Sequence, residues 1–411
     1  MSGVRQDQDV WRVVDLECER QERQIELIAS ENHTSKEVIA AMGTALTNKY
    51  AEGYPGRRYY GGCEHVDTVE DLCRDRAKAV FGSERANVQP HSGTQANAAA
   101  LMALCEPGDR VLGMSLDHGG HLSHGHPKNF SGVFYDFSSY GVEKGSELLD
   151  MDKVREQAKA VQPKVLLAGA SAYSRTIDFG AFSEIAKEVG AHLMVDMAHI
   201  AGLVAAGVHP SPVPHAAVCT MTTHKTLRGP RGGMIVCGAD WIKQINSTVF
   251  PGSQGGPLMH VIAAKAVALG EVLQPDFKVY GQAVIENAKV LSDTLIERDV
   301  RIVSGGTDNH LMLVDVSSKG LTGADAEDAL HAVDITANKN LIPYDAQPPM
   351  KASGVRIGTA AITTRGMGKT EMVQLGGWIA DILDSPNDES VRARVLGEVA
   401  EVARAFPIYR A

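Results

Sequence analysis

The chain has six cysteines in 411 residues, Cys18, Cys63, Cys73, Cys105, Cys219 and Cys237, and no two of them form a CxxC pair. A disulfide framework and a cysteine-rich metal site both need paired thiols, so this scatter excludes both. Cys105, Cys219 and Cys237 lie in apolar runs and read as small buried side chains. No stretch approaches the ~20 uninterrupted apolar residues of a membrane helix. The segment from Met1 to Glu26 is dense in Asp, Glu, Arg and Gln, which is not the pattern of a secretory signal. Basic charge is also short: 40 Lys and Arg against 50 Asp and Glu give a net charge of −10. A general nucleic-acid binder needs a basic face and is excluded. No GxxxxGK[ST] run, internal repeat or low-complexity segment occurs, so a P-loop is not expected. What survives is a cytoplasmic globular protein with no membrane or nucleic-acid partner, still able to build a local pocket for a small anion.

The apolar share of 44% and charged share of 22% suit such a protein. Its length suggests two domains and an arm, at roughly 100–200 residues per domain. Residues 1–25 read as a polar helical arm, since Val10, Val13, Val14 and Leu16 are too few to anchor it alone. Residues 26–277 alternate short apolar runs with helical patterns. The runs Arg110–Met114, Lys164–Gly169, His192–Val195, Ala217–Met221 and Met234–Cys237 read as buried parallel strands. Helical patterns over Ala96–Cys105, Met151–Val161, Phe182–Val189 and Leu258–Leu273 lie among them, so an α/β sheet covered on both faces is expected. Residues 278–411 change character. Strands at Arg301–Val303 and Leu311–Val316, with helices at Ala324–Val333, Lys369–Leu383 and Ser390–Ala405, suggest a smaller α+β domain.

In open α/β sheets ligands sit at the carboxyl ends of the strands. That rule selects Ser171, Asp196 and His224-Lys225, each just beyond an apolar run. A lysine between a buried strand and the Gly/Pro-rich loop Arg228–Gly233 is partly desolvated, which lowers its pKa and favours the neutral amine that forms Schiff bases. A carboxylate after a buried strand needs a cation, and a pyridinium nitrogen is one; a helix cap is the other use for it. His91-Ser92-Gly93-Thr94 opens a helical run, and Gly252-Ser253-Gln254-Gly255-Gly256 opens another, so both offer N–H groups to a phosphate. The histidines of His118–His126 invite a metal reading, but two glycines loosen the loop and Asp117 is the nearby carboxylate. No metal is expected; an imidazole stacked on a flat ring, with His121 the choice, suits the loop better. Arg356, in a short apolar strand, needs an anion, either a substrate carboxylate or an interdomain salt bridge.

These residues, with the runs Glu26–Asn32, Leu46–Gly56, Arg58–Glu64, Gln89–Gly93 and Thr223–Gly233, resemble the serine hydroxymethyltransferase family over essentially the whole chain. The resemblance implies a fold-type I pyridoxal-phosphate transferase, with a mostly parallel seven-stranded sheet, helices on both faces and a smaller C-terminal α+β domain. It implies pyridoxal 5'-phosphate as cofactor, held as an internal aldimine on Lys225, with tetrahydrofolate as co-substrate and L-serine giving glycine. By motif, Asp196 pairs with the ring nitrogen, His121 stacks, Ser171 meets the ring 3′-oxygen and His199 orients. Ser92, Gly93 and Thr94 take the phosphate, joined from a neighbouring subunit by Gly255 and Gly256. Arg231 belongs to the cofactor-binding set, and Thr222 and His224 to the catalytic one. Ser30 and Arg356 would hold the carboxylate. Glu52 is implied as the acid/base residue at the substrate hydroxyl, with Tyr50 and Tyr60 reaching across a dimer interface. The pterin site corresponds to Glu52, Tyr59, Leu116, Gly119, Gly120, Leu122 and Asn340. The resemblance therefore implies a homodimer, or a dimer of such dimers.

Thr359-Ala360-Ala361 departs from the Thr-Pro-Ala of many family members. Read as drift it changes nothing; read as function it would shift the Arg356 loop and admit α-methylserine and D-alanine. A folate-independent aldolase or transaldolase for β-hydroxy amino acids is a further alternative, opposed by the complete pterin-site residues.

Overall fold

A computed structural model describes residues 5–409 of the chain. Its central sheet has seven strands in the order Arg85–Asn87, Gly233–Cys237, Val218–Thr222, His192–Asp196, Val165–Ala168, Arg110–Met114, Asp136–Tyr140. The pairs are parallel except at Gly233–Cys237, which runs antiparallel to both neighbours. The run Met234–Cys237, expected to be parallel, is corrected by this pairing: the loop from Thr223 to Gly232 is too short for a crossover, which takes a dozen residues or more. The five strands anticipated from apolar runs are the inner five. Alternate residues of one strand feed opposite cores: Leu166 and Ala168 join one cluster, Val165 and Leu167 the other. Both faces are therefore covered, which is why these strands read as continuous apolar runs. The two edge strands left no such run. Asp136–Tyr140 is mostly polar and half-exposed, and Arg85–Asn87 is three residues long.

The C-terminal unit is a four-stranded antiparallel sheet, ordered Arg301–Ile302, Leu311–Asp315, Gly354–Gly358, Asn338–Asn340. Helices Gly323–His331, Lys369–Asp384 and Glu389–Ala405 cover it. Its core also takes Ile25 and Leu27, and Ile25–Glu26 pairs in parallel with Ile335–Thr336. The start expected for the large domain at residue 26 thus falls inside a segment packed on the small one: an alternating pair of apolar side chains finds its cover there. The expected boundary at 277/278 is no linker either. Helix Pro275–Glu297 sends Phe277, Tyr280 and Val284 into the large core and Ala288, Leu291 and Leu295 into the small one.

The expected arm starts at residue 1, and its first four residues lie outside the described ones. Its helix, Gln8–Arg23, is capped by Asp7 and buries no residue; Val10, Val13 and Leu16 are more than half exposed at 55%, 64% and 53%. Among the described residues no helix is long and apolar enough to cross a membrane.

Because one helix threads both cores, a cavity in its middle weakens them together. Leu291→Ala, at a fully buried site, is expected to cost about 3 kcal/mol in urea unfolding and to leave one transition. Two separated transitions would contradict the shared spine.

Candidate active site

At the carboxyl ends of the inner strands a cavity of about 360 Å³ brings together Ser30, Ser92, Gly93, Thr94, His121, Ser171, Asp196, His199, Thr222, His224, Lys225 and Arg231. Ser92 caps the helix Gly93–Leu104, accepting from the Gln95 N–H, so the helix start offers its free N–H groups as a site suited to an anion. Gly93 is required by packing, since a Cβ there would lie 2.6 Å from Thr222 Cγ2.

Asp196 ends the central strand and is buried. Asn97 Nδ2 donates to its Oδ2 at 2.8 Å, and the Ala198 N–H to its Oδ1 at 3.0 Å. His124 Nε2 lies 3.1 Å from Oδ2, while His124 Nδ1 accepts from the His121 N–H at 3.3 Å. That second bond puts the ring proton on Nε2, so His124 donates to the carboxylate. Burial opposes the charged form, but the hydrogen bonds from His124 and the Asn97 amide hold the carboxyl well below its usual range. The histidine loop thus does bring ligating atoms together: His121, His124 and Asp196 offer theirs within 4.8 Å of one another. Here they are engaged with one another and with Asn97, leaving an anionic oxygen turned to whatever cation enters the cavity.

Lys225 is 8% exposed. Burial lowers its ammonium pKa to about 8, Asp196 opposing and Arg356 and Arg231 reinforcing the fall. Its loop is tightly closed: Gly229 N–H donates to Thr223 O at 2.6 Å, and Arg228 N–H to Lys225 O at 3.0 Å. Beside it, burial and the Arg231 charge lower His224 to about 3. His121, which also lines the cavity, is lowered by burial to about 4 and is a neutral flat ring.

An adjoining cavity of about 310 Å³ is lined by Leu116, Gly120, Leu122, Asn340 and Arg356, and it shares Ser30, His121, Ser171, His199 and Lys225 with the first. Gly119 does not line it. Its carbonyl accepts from the Ser171 and Ala172 N–H groups at 2.7 and 3.1 Å, and it adopts φ +111°, which a side chain would strain. The Arg356 guanidinium donates to Ser171 O at 2.8 Å and to Asn338 Oδ1 at 3.3 and 3.4 Å, and among the described residues no carboxylate pairs with it. The interdomain salt bridge is therefore not what Arg356 makes.

Six expected residues lie elsewhere. Tyr50, Glu52, Tyr60, Gly255 and Gly256 cluster outside both cavities: the Tyr50 and Tyr60 rings are 5.2 Å apart, and Glu52 raises the Tyr60 pKa by its charge. A Cβ on Gly255 would meet Glu52 Oε1 at 3.2 Å, and one on Gly256 would meet the Tyr50 ring at 3.0 Å. Tyr59 packs on Phe250 at 5.7 Å.

Comparison with known proteins decides what this arrangement belongs to. A sequence model described as Serine hydroxymethyltransferase matches residues 4–379. A serine hydroxymethyltransferase of Acidobacterium capsulatum is 56% identical over 409 residues, covering 100% of this chain and 96% of that protein. The chain belongs to the serine hydroxymethyltransferase family.

Within this serine hydroxymethyltransferase fold, several side chains that the sequence did not single out support the site. Asn97 and His124 hold Asp196. His310 Nε2 lies 3.3 Å from His199 Nδ1, with the two rings stacked 5.4 Å apart. Asn32 donates to Lys225 O at 2.9 Å and to Tyr280 Oη at 2.8 Å, while its Oδ1 accepts from the His33 N–H and Thr364 Oγ1. All four hydrogen-bonding positions of that amide are used, so it ties the lysine loop to the segment carrying Ser30 and to the helix after Arg356. Lys265 is buried with its ammonium on the carbonyls of Val88, Pro90 and Gly233, fixing the approach to Ser92. Each reads in sequence as an ordinary core or cap residue; the signal is a polar side chain in a run that the fold buries.

The Lys225 amine carries a pH test. With its pKa at about 8, cofactor-free protein should capture an aldehyde at a rate rising about tenfold per pH unit and levelling near pH 8, where an ordinary lysine climbs on towards about 10.4. Stopped-flow absorbance reads this, and a rate still climbing well past pH 8 contradicts the assignment.

Proposed function

We propose that this protein holds pyridoxal 5'-phosphate on Lys225 and moves the hydroxymethyl group between L-serine, giving glycine, and tetrahydrofolate, reversibly. The observation carrying the reading is that one cavity joins a Lys225 whose pKa burial lowers, an anionic Asp196 and a helix start, while its neighbour presents a half-buried Arg356 that no carboxylate among the described residues pairs with. Those residues suit the cofactor: Ser92, Gly93 and Thr94 its phosphate, Asp196 its ring nitrogen, Ser171 its 3′-oxygen, His121 its face. When bound, the cofactor supplies an electron sink for a bond at the substrate Cα.

The chain's own residues do the rest. Arg356 and Ser30 grip the substrate carboxylate, a charge-assisted pairing that fixes the rotation about Cα. Lys225 is kept by burial near the balance between amine and ammonium, so it can give up and retake a proton close to neutral pH. Asp196, kept charged by Asn97 and His124, stabilises positive charge facing it. His199, Thr222, His224 and Arg231 form the remaining wall, and Leu116, Gly120, Leu122 and Asn340 frame the folate cleft, with Gly119 bracing it from behind through the Ser171 and Ala172 N–H groups.

Glu52, Tyr50, Tyr60, Tyr59, Gly255 and Gly256 lie together but off both cavities, so we infer that they complete the site of a second copy in a homodimer. Glu52 then manages the proton of the substrate hydroxyl. The six cysteines are free thiols, in keeping with a reducing cytoplasm.

The α-methylserine reading is not favoured. Ala360 starts the helix Ala360–Arg365, a position where proline's missing N–H is no loss and its absence no gain in contacts. Thr359 is anchored by its N–H to His310 O at 2.9 Å and by Oγ1 to Val284 O at 2.8 Å, so the segment after Arg356 is fixed without a proline.

Assays with L-serine/glycine and α-methylserine/D-alanine, each with and without tetrahydrofolate, test the function. Serine turnover should need folate and exceed α-methylserine turnover; folate-indifferent serine turnover would sink the reading. Arg356→Leu should raise the serine KM at least about hundredfold while the absorbance of bound cofactor persists. Mixing inactive Lys225→Ala and Glu52→Ala proteins through an unfolding–refolding step should restore about a quarter of native activity if each site draws on two chains. Zero recovery from refolded dimers contradicts the shared site.

A further inference from the structure

The cleft beside Lys225 has two walls from different parts of the fold. Leu116, Gly120 and Leu122 follow the strand Arg110–Met114; Asn340, Leu341 and Pro349 belong to the small unit. The width between them decides how a flat co-substrate fits. Outside the lining, one side chain spans the gap. The Tyr344 ring packs on the His118 imidazole with centroids 4.6 Å apart at 53°, and its hydroxyl donates to Val142 O at 2.6 Å. The Lys144 ammonium sits 5.8 Å from the same ring centroid.

Both partners are fixed from behind. His118 Nδ1 accepts from the Val142 N–H at 3.0 Å, and His118 ends the short 3-10 turn that begins at Leu116. On the other wall, the Asp345 carboxylate accepts from the N–H groups of Ile342, Gln347 and Ser353 and from Ser353 Oγ, closing the loop on itself. Tyr344 holds φ +60°, a left-handed conformation that a non-glycine residue keeps only when its surroundings enforce it. A stiff loop is thus pinned to the opposite wall through one aromatic side chain.

We propose that Tyr344 is a positioning residue for the folate co-substrate: seated on His118 and Val142, it holds the wall carrying Asn340, Leu341 and Pro349 at a set distance from Leu116, Gly120 and Leu122. This rests on the folate reading of the cleft given above. Tyr344 lines neither cavity and stands apart from Lys225, so its effect is confined to the co-substrate.

The test is a KM split on holoenzyme. Tyr344→Ala should raise the KM for tetrahydrofolate about tenfold, through loss of the ring contact and the hydroxyl bond together. Its affinity for L-serine alone, read without folate from the absorbance of bound cofactor, should keep the wild-type value. Tyr344→Phe, which retains the ring, should give a smaller rise of about threefold and serves if the alanine variant fails to fold. An unchanged folate KM in either folded variant overturns the proposal, as does a parallel loss of serine affinity. Wild-type serine turnover indifferent to folate overturns the functional reading instead, and it is seen before any variant is made.

Discussion

The site depends on keeping a buried carboxylate ionised. Asp196 stands at the end of the central one of seven strands, with apolar cores on both faces. Burial alone would protonate it. Three donors from three places prevent this: Asn97 from the helix that also presents Ser92 and Gly93, His124 from the loop that presents His121, and its own Ala198 N–H. The carboxylate therefore shares supports with the helix start at Ser92 and Gly93 and with the loop of His121. A shift in any one of them moves the others.

Lys225 shows the complementary balance. The same burial that threatens Asp196 favours the lysine's neutral form, and Asp196 pulls the other way. Its carbonyl is held by Asn32, two residues beyond Ser30, and Asn32 also accepts from Thr364 beyond Arg356. One amide therefore keeps the lysine loop in register with the segments carrying Ser30 and Arg356. Arg356 completes the picture: burial lowers even its guanidinium, to about 10, and among the described residues it meets carbonyl and amide oxygens but no carboxylate.

Much of this is legible in the sequence because buried parallel strands leave continuous apolar runs, and chemistry-bearing residues come directly after them. Asp196, Ser171 and Lys225 emerge from that rule alone. The edge strands are not legible, since Asp136–Tyr140 faces solvent and carries polar residues. The supporting residues are hidden for a different reason. Asn97 sits in an alanine-rich helix and His124 among other histidines, so only the tertiary approach to Asp196 distinguishes them. Glu52, Tyr50 and Tyr60 come from the family motif, and no local pattern encodes their place off both cavities. The segment Ile25–Leu27 runs on into the large unit along the chain, yet its two apolar side chains choose the nearer core, that of the small unit.

The helix Pro275–Glu297 passes through both cores without interruption, burying side chains in each. A continuous helix resists bending at its middle, where every backbone hydrogen bond is spent. The two units therefore have no flexible hinge at the point where the sequence changes character. Any adjustment of the cleft to its ligands must take the form of shear, small sliding of side chains over one another and tilting of loops around this rod. Such motion is short in range.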